Sequence, residues 1–488
     1  MNPIEPEPKT PTAQPAPDQT AITPTQTGTS SHLKPAASNA DLPVQREFNQ
    51  MLAQKMSRSL GSKIDGPFAV VGHPAGFNYG ITYGTNAYYN RTALDTLNSL
   101  VGYDSGTETT LIEDQRFSTL NARVLGATSY TLSSEDERTL AEEDNAASAQ
   151  IKTVLTAFEE AGWKFTGQGS RLDDAMTQIE QEYGKVEKLP DQYAALRNAL
   201  ATYKRMAKGS FRLHSRQIAA DRELDRSLKN TLKPSEKNGG LEVAKGAYVP
   251  AFRSLPSANQ LIGSLKTTSN AVSLSMFADH FAENSMDMHI ENKTAFTVGA
   301  GLLAFEVGHH SVANLSTFAM KSSRVEIVIT YPGITTVPVI PAAVSSDNTG
   351  WYDLGILKEI AAKTGRDVTG YKLKGSEFTV QELFGPGGSL AYLRTLVISQ
   401  VPTVMLRMQN VDAQAASRYF ESDTSVKVSL LGMVTLGEHS NSYKVKEVTS
   451  DVQAQSVTVT FGPPAVAVTI PIQDQVAHVI GGVVNHVC

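Results

Sequence analysis

The sequence predicts an α+β fold, in which a helical hairpin or small bundle over residues 133–231 is set before a large β-rich, sandwich-like or mixed C-terminal domain over 247–488. Three observations lead there. Residues 133–231 carry apolar side chains at three- and four-residue spacing over long runs. After residue 246 the chain turns to short runs rich in Val, Ile, Leu and Thr, several of them alternating, with one helical pattern among them. Helices do not alternate with strands there, so a regular βαβ array is not expected.

Residues 1–45 are mostly Pro, Thr, Ser, Ala and Gln and cannot bury enough apolar surface to offset the entropy of ordering, so a disordered tail is expected. A small mixed α/β segment follows over 46–132. In it Phe48, Met51, Leu52 and Met56 fit a short amphipathic helix, and Leu94, Leu97 and Val101 fit one face of a second helix over 92–101. The run FSTLNARVLG reads as a strand. Over 133–231, Ser134 and Glu137 read as a capping box opening a long helix whose stripe is Ile151, Leu155 and Phe158. Leu172, Met176, Ile179, Tyr183 and Val186 keep the heptad spacing of a coiled-coil seam. Pro190 interrupts it, and Tyr193, Leu196, Leu200, Tyr203 and Ala207 resume the pattern.

Residues 232–246 have a linker's composition. The β-rich domain over 247–488 offers strands in AFTVGAG, LAFEVG, SRVEIVITY, RTLVISQ, TVMLRMQ, TSVKVSLLG, YKVKEV, SVTVTF and AVAVTIPI. One helix is expected in WYDLGILKEIAAKTG, with Leu354, Leu357 and either Ile360 or Ala361 inward and Gly365 just past its end. The runs VEIVITYPGITTVPVIP and RTLVISQVPTVMLRMQ echo one another as strand, proline break, strand.

At 488 residues the chain has room for two or three cores. A net charge of −6 gives no whole-chain footprint for nucleic acid, and no nucleic-acid partner is expected. Cys488 is the single cysteine, which excludes an intramolecular disulfide and a multi-cysteine metal site. The first residues lack the basic and apolar regions of a secretory signal. The uncharged run 294–305 stops at Glu306, short of the ~20 residues of a spanning helix. A cytoplasmic location, or export by a signal-independent route, is the expectation.

Phosphate loops, zinc helices, EF-hand series and nucleophile elbows are all missing from the text. Neighbouring His309 and His310 would point to opposite faces of a strand, and nothing in the spacing brings His280 or His289 to them. No catalytic residue, metal or cofactor is therefore assigned. Two surface features remain. Read as a hairpin, the segment 295–313 places Phe296, Val298, Leu303 and Phe305 on an apolar face that suits either a core or a lipid bilayer. Lys204, Arg205, Lys208 and Arg212, with Arg216, form a positive patch in an acidic protein, suited to solvent or to an anionic membrane or partner surface. The functional expectation is a non-enzymatic, membrane-interacting protein of pore-forming type. The alternatives are a self-assembling scaffold, with copies of itself as partners, and a hydrolase whose site is not visible in sequence.

Overall fold

The structure is a computed structural model that describes residues 42–487, apart from 72–75, 79, 84–85, 105–108, 114, 167–169, 268, 292–294, 308–312, 315–317, 348, 376, 386–387, 422–424, 432–433, 437–442 and 464–475. The tail expected over 1–45 lies outside the described residues up to 41, as do His73, His309, His310 and the run AVAVTIPI. The fold is mixed α+β.

One sheet has the strand order Thr335–Pro338, Ala391–Ser399, Val476–His486, Phe68–Val71, Thr109–Glu113, Leu100–Asp104, and Gly76–Asn78 pairs with the far end of Val476–His486. All its pairs are antiparallel except Phe68–Val71 with Thr109–Glu113. Strands from both sides of the helical region 133–231 thus share one sheet. In the middle of Val476–His486, a Cβ on Gly481 would lie 2.2 Å from the Ala69 carbonyl oxygen, so only glycine permits this approach.

A second seven-stranded sheet is antiparallel throughout, in the order Phe296–Gly299, Ser285–Ile290, Val272–Asp279, Ala319–Tyr331, Thr403–Val411, Ser456–Gly462, Lys444–Asp451. Alternation puts Leu274, Met276, Met288, Ile327, Leu406 and Val459 on its inner face. That face is covered by a four-stranded sheet built on Leu303–Val307 and Val426–Leu430, and by helix α1 (Leu42–Leu60). Helix α1 buries every fourth residue, Val44, Phe48, Leu52, Met56 and Leu60, all at 3% exposure or less. It takes in the last four residues of the stretch expected to be tail, 42–45, because Val44 already belongs to this buried stripe.

The two echoing runs join the sheets. Ala319–Tyr331 and Thr403–Val411 pair in the sandwich sheet, and their continuations Thr335–Pro338 and Ala391–Ser399 pair in the other. Gly333, at φ +61°, makes one bend, where the Gln400 amide donates to the Pro332 carbonyl at 2.9 Å.

Two further helices lie in the N-terminal segment. Helix α2 (Arg91–Ser99) buries Leu94 and Leu97 as expected but ends before Val101, which lies in the strand Leu100–Asp104. FSTLNARVLG is helix α3, not a strand. Phe117, Leu120, Val124 and Leu125 follow helical spacing, and their burial against the first sheet outweighs the strand-like look of the run.

The helical region holds α4 (Ser134–Glu160), α5 (Arg171–Tyr183), α6 (Ala194–Met206) and α7 (Lys208–Leu232). The N-cap of α4 is Ser133, whose side chain accepts from the Asp136 amide, one residue before the expected cap. Its inward stripe is Ala147, Val154 and Phe158; Ile151 falls on that stripe and is half-buried, and Leu155, also half-buried, flanks it. Ile179 is fully buried with Leu172, Met176 and Tyr183 packed around it; Val186 joins the same core from a 3-10 turn after Gly184 ends α5 at φ +76°. Val154, Phe158, Leu196 and Leu200 complete this core. It is separate from the sheet cores, whereas Leu213, Ala220 and Leu224 of α7 belong to the first sheet's core.

The expected linker, 232–246, ends inside a short hairpin, Leu241–Ala244 with Ala247–Val249. Where one helix is expected after residue 247, helices α8 (Ala258–Thr267), α9 (Leu354–Lys363) and α10 (Ala413–Glu421) are present, the two unexpected ones burying Leu261 and Leu265, and Ala416 and Phe420, at four-residue spacing. In α9, Leu354 is exposed and Ile356 takes its inward place, while Gly365 past the C-cap has φ +77° as expected. The segment 295–313 is not a hairpin. Phe296–Gly299 pairs in the seven-stranded sheet and Leu303–Val307 in the four-stranded one, with a single 3-10 turn between them. It is a corner joining two faces of a sandwich, which explains a run with glycines at the bend and apolar side chains on both arms.

Candidate functional site

Helices α6 and α7 meet at Ala207, itself 2% exposed, to form an elbow. The first turn of α7 is held from α4: Glu143 accepts the Ser210 amide at 2.5 Å and Asp144 accepts the Ser210 hydroxyl. Asp144 also faces His214 Nε2 at 3.3 Å. Buried Leu213, Ala220 and Leu224 mark the inner stripe of α7, so Phe211, Ser215, Ile218 and Arg222 line the outer one. Phe211 is 54% exposed, Ile218 51% and Met206 at the end of α6 37%. The Phe211 ring leans edge-on toward Tyr203 at 6.4 Å.

Around these apolar side chains stand the predicted cations. Arg205, Lys208 and Arg212 are exposed. Lys204 reaches Glu187 at 3.5 Å, and the Glu187 carboxyl is held below its ordinary range first by a backbone hydrogen bond and then by Lys204. Arg216 turns away to lie over the Tyr130 ring at 5.8 Å. Sequence spacing had singled out the charges but not Met206, Phe211 and Ile218. Their signal is the seven-residue step from Phe211 to Ile218, half a turn away from the stripe Leu213, Ala220 and Leu224.

Phe296, Val298, Leu303 and Phe305 lie elsewhere, on the sandwich core. Val298 is 2% exposed, Leu303 and Phe305 0%, and half-buried Phe296 packs against the same core. The fold brings this set together, but around its own interior and not on a surface.

His280 and His289 do meet carboxylates. Nδ1 of His280 is 3.2 Å from Asp279 Oδ1 and 3.4 Å from Asp287 Oδ2, and His289 Nε2 is 3.3 Å from Asp279 Oδ1. The His289 ring stacks on Phe277 at 4.1 Å, and Arg324 covers the other ring partner at 4.2 Å from the Phe277 centroid. Asp279 and Asp287 carry no signal as single residues; only the strand register places them opposite one another.

A cleft of about 570 Å³ opens between α2, α3, the end of α7 and the hairpin 241–249, lined by Arg91, Arg116 and Arg123 among apolar side chains. Arg116 is paired with Asp95 at 2.7 Å and Arg123 with Glu377 at 2.8 Å. No protein-family model, curated protein or solved structure matches the chain.

Proposed function

We propose that the protein acts through its surface rather than by catalysis, and that the α6–α7 elbow attaches it to an anionic membrane. The observation that carries this reading is Phe211, more than half exposed, between Met206 and Ile218 and beside Arg205, Lys208 and Arg212. Apolar side chains of this size enter the interface between headgroups and acyl chains while flanking cations stay with the headgroups. Each such cation contributes about 1 kcal/mol near an anionic leaflet, and the contribution falls with salt. Helix α7 presents the elbow with Leu213, Ala220 and Leu224 anchored in the first sheet's core, so its outer stripe is free to meet a surface.

Pore formation by 295–313 would require Val298, Leu303 and Phe305 to leave the sandwich core. The present reading is therefore attachment at the elbow. Self-assembly is the second reading, favoured by the exposed edge strand Lys444–Asp451. Its charges, Lys444, Lys446, Glu447 and Asp451, oppose open-ended pairing of like edges.

Co-sedimentation with vesicles tests the proposal. The full chain is expected to bind phosphatidylserine-containing vesicles and not phosphatidylcholine alone. Lys208→Glu with Arg212→Glu should weaken binding at least about tenfold and reduce its salt dependence, and Phe211→Ser should weaken it while leaving the salt dependence in place. Equal binding by the charge-reversed variant, or none by the parent chain, would reject the elbow. Large particles in lipid-free buffer, seen by light scattering, would favour the scaffold.

A further inference from the structure

At the turn end of the hairpin formed by Val272–Asp279 and Ser285–Ile290, Asp279 and Asp287 stand directly opposite one another. Like charges in directly opposed cross-strand positions repel. Both carboxylates nevertheless turn toward one point, and the His280 imidazole turns there too. The separations, 3.2 and 3.4 Å from Nδ1, are long for charge-assisted hydrogen bonds, which run about 2.7–2.9 Å. They are close to the edges of a coordination tetrahedron, since bonds of about 2.0–2.2 Å to zinc set ligand atoms about 3.3–3.6 Å apart. The three donor atoms all lie within 4.8 Å of one another.

We infer that Asp279, His280 and Asp287 hold one divalent transition-metal ion of the zinc class. An imidazole nitrogen with two carboxylate oxygens suits zinc better than magnesium or calcium, which favour all-oxygen shells. The His280 side chain is 77% exposed, so the remaining coordination positions face solvent, as in three-ligand sites that keep an open position. Two neighbours orient the carboxylates. Thr297 Oγ1 donates to Asp287 Oδ1 at 2.7 Å, which leaves Oδ2 for the ion. His289, fixed by its stack on Phe277, sits at 3.3 Å from Asp279 Oδ1. Outer contacts of this kind hold ligating carboxylates in place. The ion ties the end of one strand to the start of the next and relieves the repulsion between the paired aspartates.

The test is calorimetric titration of the full chain with zinc chloride, in a Cys488→Ser background that removes the only thiol. One equivalent is expected to bind, with a rise in melting temperature that magnesium does not produce. His280→Ala and Asp287→Asn, each checked for native circular dichroism, should weaken binding at least tenfold and abolish the rise. Absence of saturable binding by the parent, or unchanged affinity in both folded variants, overturns the inference and leaves an ion-paired turn.

Discussion

The Glu143 carboxylate accepts the backbone amide of Ser210 at 2.5 Å, latching α4 onto the first turn of α7. The first amides of a helix have no partner within it, and a carboxylate there also meets the positive end of the helix dipole. Gly209 makes the latch possible: a Cβ at that position would lie 2.3 Å from the Glu143 carboxylate. The elbow owes its shape to these residues on α4 as much as to its own.

Glu143→Ala should therefore lower stability by about 1–2 kcal/mol, from one orphaned, part-buried amide and a lost charge at the helix end. Urea unfolding followed by helical circular dichroism measures it. A change below about 0.3 kcal/mol would show that water replaces the carboxylate without penalty.

Ile179 is fully buried where α5 meets α4 and α6, in a core that the sheets do not share. Ile179→Asp should cost on the order of 3 kcal/mol or more through a buried, unpaired charge. Hydrogen exchange should rise across 134–206 while the two seven-stranded sheets keep their protection. Exchange rising equally in the sheets would mean that arm and sheets unfold together.

Val298 gives a paired readout. Being 2% exposed beside Leu303 and Phe305, Val298→Lys should lower stability in plain buffer by several kcal/mol. Any loss of vesicle binding should follow from that. Unchanged stability together with lost binding would return the segment 295–313 to the membrane.

Buried His478 predicts a pH dependence. Its ring lies 5.8 Å from Tyr331, and burial pushes the imidazole down to about 4. In the unfolded chain it titrates near 6.5. Between these values the unfolded state binds a proton that the folded state refuses, so stability falls with falling pH from about 6.5 to about 4, by about 1.4 kcal/mol per unit. Above 6.5 this contribution is constant. His478→Leu should flatten that slope in urea unfolding series; identical slopes in both proteins would place the titration elsewhere.

What could be read from the chain depended on whether the information was local. Helix α1, the break at Pro190 and Gly365 past α9 were legible because spacing and backbone chemistry act within a few residues. FSTLNARVLG was misread because so short an apolar run fits both periods, and contact with the first sheet decides between them. The corner at 295–313 was hidden for a different reason: adjacent strands look like a hairpin unless it is known that their partners are in different sheets. The same holds for the candidate sites. The cations of the elbow announced themselves, but the exposure of Phe211 follows from which face of α7 the first sheet takes. Asp279 and Asp287 became neighbours only through strand register.

Val476–His486 runs down the middle of the first sheet, bonded to Ala391–Ser399 on one side and Phe68–Val71 on the other. A chain emerging from the ribosome therefore presents both flanking strands long before the strand that joins them. Phe68 must wait for Val483, across nearly the whole chain, and until then two strand edges stay open to other partners. Pairing over so long a separation is slow, and it exposes the unfinished sheet to misassembly. The sandwich and the arm can form as they are synthesised up to their own last strands and helices, but this sheet closes only after translation has passed residue 486. Its closure is thus the step at which folding is most open to assistance by a chaperone.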